Sequence, residues 1–146
     1  MKRMLFLGIL SLFAAAHASE LTASRTDVVM LVGGLRNDLG VVRAAAFRAD
    51  DGWPFDFGRA YRTNKAKVEK GRARVLLDDL PYGTYAVALF HDENDNGVID
   101  VNFFKVRVEG VAFSRNAPAG LEYPRMRDAE FEVYKGGATL NVTMQY

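Results

Sequence analysis

Residues 139–146, TLNVTMQY, alternate without a break: Leu140, Val142, Met144 and Tyr146 fall on one side, Thr139, Asn141, Thr143 and Gln145 on the other. Successive side chains of a pleated strand point to opposite faces, so the segment reads as a strand with one buried and one wet face. Just upstream, AEFEVY (129–134) sets Phe131 and Val133 inward between Glu130 and Glu132, and Lys135-Gly136-Gly137 turns the chain back. Period two recurs upstream of here, and no segment of the expected mature chain keeps a helical apolar period for three turns.

RARVLLDDL (72–80) puts Ala73, Val75 and Leu77 on one face. After Pro81-Tyr82-Gly83, TYAVALFHD puts Tyr85, Val87 and Leu89 on one face and Ala86, Ala88 and Phe90 on the other, which predicts a strand covered on both sides. DVVMLVGGL (27–35) and VVRAAAF (41–47) flank Arg36-Asn37-Asp38-Leu39-Gly40 and read as a hairpin. Six or seven such strands with no helices to cover them predict two sheets face to face: an all-β, antiparallel β-sandwich of about seven strands. Its expected core is Val75, Leu77, Val87, Leu89, Phe131, Val133, Leu140 and Val142. Two segments resist this pattern. Residues 52–67 hold Trp53, Phe55, Phe57 and Tyr61 in an irregular flap or a short helix after Pro54, their aromatics reading first as plugs for the core edge and second as a sugar platform. Residues 92–128 are long and glycine-punctuated, the kind of connection that often carries function.

The chain opens MKRMLFLGILSLFAAAHASE, a basic start, an apolar run and Ala16-His17-Ala18, which predicts a signal peptide over 1–18 and one mature domain over 19–146. The apolar run is short for a spanning helix and no later segment approaches one, so the protein is expected in the periplasm or secreted and not spanning a membrane. Loss of Lys2 and Arg3 leaves a nearly neutral chain with no basic run, an argument against nucleic acid as a partner. There is no cysteine, so stability must come from packing or a bound ion.

HDENDNGVID (91–100) is the most specific chemistry in the chain. With Asp92 as position one, Asn94, Asn96, Val98 and Asp100 fall at three, five, seven and nine, and Gly97 at six. That register offers carboxylate, amide and backbone oxygens to a hard cation such as calcium. Position twelve is Phe103, so a helix-loop-helix hand is excluded, and Glu109 is the candidate to complete the site. A plain polar turn around Asn96-Gly97 is the competing reading. His91, at the end of its strand, reads as a capping residue; with Asp92 and Ser114 it also permits a hydrolase, although no nucleophile elbow is present.

YAVALFHDENDNGVID, EGVAFSRNA at 109–117, Pro124 and the Asp128-Ala129-Glu130-Phe131 run together resemble the bacterial domain-of-unknown-function family 2141. The specific block, HDxNxNGxxD, matches at His91, Asp92, Asn94, Asn96, Gly97 and Asp100; Lys105 and Arg107 stand where that family usually has Gly and Pro. LDDLPYGTYAV is also similar to the turn of transthyretin-like and collagen-adhesin B-type sandwich domains, which implies a fold and no ligand. The family resemblance implies no reaction. The expectation is an exported, non-enzymatic module for a protein or carbohydrate partner, with a calcium loop; the alternative is a periplasmic hydrolase or carbohydrate-binding protein using His91 and Asp92 or the Trp53–Tyr61 aromatics.

Overall fold

The computed structural model describes residues 24–146, so the signal segment expected over 1–18 lies outside the described residues. Eight strands form two sheets: β1 (Arg25–Gly33), β2 (Val41–Phe47), β3 (Arg62–Lys67), β4 (Ala73–Pro81), β5 (Gly83–Asp92), β6 (Val111–Phe113), β7 (Phe131–Val133) and β8 (Ala138–Thr143). The smaller sheet runs β4-β1-β8; the larger runs β3-β2-β5-β6, with β7 also on β5. The chain is an all-β sandwich, and its pairings are antiparallel except β1 with β8, which is parallel.

The two facing surfaces bury the alternating residues. Val28, Met30, Val75, Leu77, Val87 and Leu89 are fully buried, and Val133 and Val142 nearly so. Phe131 and Leu140 are only partly buried and pack against that cluster from its rim. The larger sheet is covered on its second face as well, which accounts for the apolar parity on both sides of β5: Ala45, Phe47, Ala86, Ala88, Phe90 and Phe113 form a second cluster beneath Trp53, Phe55, Phe57 and Met126. The aromatics of 53–57 are thus a lid over the sheet. Trp53 meets Phe47 edge-on with centroids 5.5 Å apart, and its Nε1 donates to the Pro124 carbonyl at 2.8 Å. Phe55 packs on Phe90, Phe113 and Tyr123.

The hairpin expected between 27–35 and 41–47 is not formed. β1 pairs with β4 and β8, β2 with β3 and β5, and residues 34–40 cross from one sheet to the other. Burial explains the separation: β1 has one buried parity and fits the smaller sheet, whereas β2, with Val42, Ala44, Ala45 and Ala46 all fully buried, needs cover on both faces. The turn at 135–137 likewise leads from β7 on β5 to β8 on β1, so the last two strands are not partners. Residues 62–67 form the strand β3, and the only helix in 52–67 is a single 3-10 turn at Phe57–Arg59.

Candidate functional site

β5 ends at Asp92 with its ladder to β2 still intact: Val42 opposes His91 and Val41 opposes Asp92. The crossover 34–40 lies directly against this end. A side chain on Gly40, whose φ is +60°, would place its first carbon 1.9 Å from the Asp92 carbonyl oxygen, so only glycine fits. Leu39 offers its carbonyl to His91 Nε2 at 2.8 Å, and Asn37 Nδ2 donates to Glu93 at 2.7 Å.

His91 is fully buried, and both ring nitrogens are occupied. A carbonyl can only accept, so Nε2 carries a proton toward Leu39, while Nδ1 shares a hydrogen bond with the Tyr146 hydroxyl at 2.7 Å. The Tyr146 oxygen in turn accepts from the Arg36 amide at 3.1 Å, and burial pushes its phenol above the ordinary value. Ser114 is fully buried elsewhere: its Oγ accepts from the Val87 amide at 2.9 Å and donates to the Ala129 carbonyl. Each of these two side chains has its own separate partners, and both tie β5 to neighbouring segments of the chain.

The loop itself is organised by Asp92. Its carboxylate, fully buried, accepts from the amides of Asn96 and Gly97, each at 2.9 Å, and from Arg43 Nε. Arg43 also reaches Asp95 at 2.6 Å, where Lys65, its ladder neighbour on β3, donates at 3.0 Å. The Lys65 bond and the charges of Lys65 and Arg43 hold the Asp95 carboxyl below its ordinary value. Asp95 and Gly97 take positive φ, 52° and 86°, which curls the segment. The curl brings three of the expected ligands together: Asn94 Nδ2 and Asn96 Nδ2 donate to the two Asp100 oxygens at 2.7 and 3.0 Å. Their own oxygens accept from the amides of Asn96 and Val98.

Glu109, nearly fully buried, reaches the loop through its backbone: one oxygen accepts from the Glu93 amide at 2.9 Å, the other from the Asp100 amide at 3.0 Å. It clamps the two ends of the loop. Ile99 anchors the loop on the outer apolar cluster, while Val98 is exposed. Among the described residues, no three of His, Cys, Asp and Glu converge in a set fit for a metal ion, so any cation here would depend on amide and backbone oxygens. A groove of about 800 Å³ bordered by Lys67, Arg72, Arg74 and Asn141 lies apart from residues 91–100.

Arg36, Asn37, Gly40 and Arg43 complete this site, and sequence reading passed over all four. Arg43 carried a signal: a lone charge inside the apolar run VVRAAAF needs a buried partner. The model of one family, "Uncharacterized protein conserved in bacteria (DUF2141)", matches residues 30–141. The chain belongs to this family. The match begins in β1 and ends in β8, so it takes in Arg43, the 92–100 loop and Glu109. No curated protein and no solved structure matches the chain.

Glu93 supplies a pH prediction. Burial pushes its carboxyl up, but the Asn37 amide and the Arg36 guanidinium, 2.6 Å away, outweigh burial and hold it below the ordinary value. A depressed carboxyl contributes stability that is present above its unfolded pKa and is lost as pH falls through the folded one. Glu93→Gln is expected to lower neutral-pH stability by roughly 1 kcal/mol and to flatten the acid limb of the denaturation profile. An unchanged acid limb would remove Glu93 from the account.

Proposed function

We propose that the chain is an exported, non-enzymatic interaction module whose 92–100 loop takes a calcium ion as a structural brace. The observation that carries this reading is the meeting of Asn94, Asn96 and Asp100 side chains at one point, with Asp92 folded into the same curl. A turn built on Asn96-Gly97 alone has no use for that convergence. Turning both carboxamides would present their oxygens beside Asp100 but give up the bonds from the Asn96 and Val98 amides, so a cation in the loop has to outweigh those two bonds as well as offset the gathered oxygens. The ligands would be Asp92, Asn94, Asn96, the Val98 carbonyl and Asp100, with Glu109 fixing the ends of the loop. Export to the periplasm or medium is supported by the leader-like pattern of residues 1–18. The module reading is favoured over a hydrolase because His91 and Ser114 are buried with separate, filled hydrogen-bond partners. The lid packing of Trp53, Phe55 and Phe57 speaks against a sugar platform.

Melting curves of the mature chain test the brace. With so few carboxylates the dissociation constant should fall on the order of 10⁻⁴ to 10⁻³ M. Calcium at ten times that value would add about 1.4 kcal/mol, a shift of roughly 3 to 6 °C, and magnesium less. Asp100→Ala is the variant to use, because Asp92 is bound to Arg43 and its loss would unsettle the fold. The shift should vanish in Asp100→Ala. Persistence of the full shift in that variant would sink the reading.

A further inference from the structure

Residues 101–108, VNFFKVRV, form a small hairpin that leaves the site: Val101 bridges Arg107, the Asn102 amide donates to the Val106 carbonyl at 2.8 Å, and the Lys105 amide donates to the Asn102 carbonyl at 2.9 Å. Asn102 builds the turn, its side-chain oxygen accepting from the amides of Phe104 and Val106 at 2.9 and 3.1 Å. At its apex Phe103 is 93% and Phe104 79% exposed, and their rings meet edge-on, 5.5 Å apart. Val101 and Val106 flank them, also exposed. The segment carries two cations, the exposed Lys105 and the half-buried Arg107, whose guanidinium lies over the Tyr123 ring, and no acid. Among the described residues, a pair of adjacent phenyls held outward at a preformed convex tip has nothing to bury against, and contiguous apolar exposure of this kind marks an interaction surface.

We propose that this tip inserts into the interface of an anionic phospholipid bilayer. The inference rests on the reading of the chain as an exported interaction module and names the class of surface it meets. Shape and charge select the occupant. A convex apex suits a fluid apolar layer that opens around it, and the flanking cations suit anionic headgroups at the depth where aromatic rings settle. Among the described residues no helix is long and apolar enough to cross a membrane, and a tip of two rings reaches only interfacial depth. The hairpin is rooted on the loop, since the Val108 amide donates to the Asp100 carbonyl at 3.0 Å and Glu109 follows, so an ion in the loop would brace the base of the tip.

The test is sedimentation of the mature chain with vesicles of phosphatidylcholine alone and of phosphatidylcholine mixed with phosphatidylglycerol, each with and without calcium. Binding is expected to the mixed vesicles and to fall as salt is raised. Phe103→Ser/Phe104→Ser should weaken it about a hundredfold, and Lys105→Glu roughly five- to tenfold. All three substitutions are at exposed positions, and a Phe104→Trp chain gives a second readout, a blue shift of emission on adding mixed vesicles. The proposal is overturned if the parent chain stays in the supernatant with both vesicles, if it binds both equally, or if the double variant binds as well as the parent. Self-association through the tip, abolished by the double variant in the absence of vesicle binding, would overturn it in favour of a second copy. A calcium-dependent melting shift without vesicle binding removes the lipid inference alone; vesicle binding without that shift removes the calcium reading alone.

Discussion

Phe113→Ala is expected to destabilise the protein by about 3 to 5 kcal/mol, near the upper end for a core truncation. Phe113 is fully buried on β6, where it opposes Ala88, and is the ring on which Trp53, Phe55 and Tyr123 converge at 5.7, 5.8 and 6.1 Å. Its removal opens a cavity between the larger sheet and its lid, and the small residues beneath, Ala86 and Ala88, cannot collapse into it. The damage should be directional. Trp53 packs on Phe47 and Phe113 and is the only tryptophan in the chain, so its emission should shift to the red while the strand signal in circular dichroism survives below the new melting temperature. An unchanged melting temperature with unchanged Trp53 emission would mean that the second cluster contributes nothing to the fold.

Arg43→Met is expected to cost a similar amount, about 3 to 5 kcal/mol, for an electrostatic reason. Asp92 is fully buried, and among the described residues the Arg43 guanidinium is the cation bound to it. Methionine keeps most of the apolar stem, so packing against β2 neighbours is largely retained and the loss isolates the uncompensated carboxylate. Two backbone amides still hold Asp92, which keeps the cost finite. Lys65 and Asp95 remain paired at the surface, and that exposed contact offers little in compensation. Chemical denaturation of the parent and Arg43→Met chains at neutral pH checks this. A loss well below 1 kcal/mol would show that the loop is held by its amides alone.

The strands legible in the sequence were those whose side chains report their own surroundings. β4, β5, β7 and β8 each carry period two, and β5 announces cover on both faces by filling both parities with Ala, Val, Leu and Phe. β3, RTNKAK, hides because it is an exposed, polar strand whose place is fixed by its ladder to β2. Pairing was the weakest inference. Residues 36–40 look like a hairpin turn, yet the partners of β1 are β4 and, more than a hundred residues on, β8, and no local pattern encodes contacts of that range. At the site, the oxygen-bearing residues at alternate positions were readable, and Asn94, Asn96 and Asp100 do meet. What the spacing could not supply was the surroundings: Arg43 arriving from β2, Gly40 pressed against the Asp92 carbonyl, and Glu109 clamping both ends through amides rather than pointing its oxygens inward. The exposed Phe103-Phe104 tip was equally silent, because an apolar pair in an irregular segment reads as core until its exposure is known.

Isothermal titration of calcium into the mature chain, beside magnesium and beside Asp100→Ala, bears most directly on the loop. Saturable binding with a dissociation constant on the order of 10⁻⁴ to 10⁻³ M, weaker for magnesium and absent in the variant, is the predicted result. No heat of binding up to several times that concentration range, or identical isotherms for the parent and Asp100→Ala, would contradict it and leave residues 92–100 as a turn held by Asp92, Arg43 and Glu109 alone.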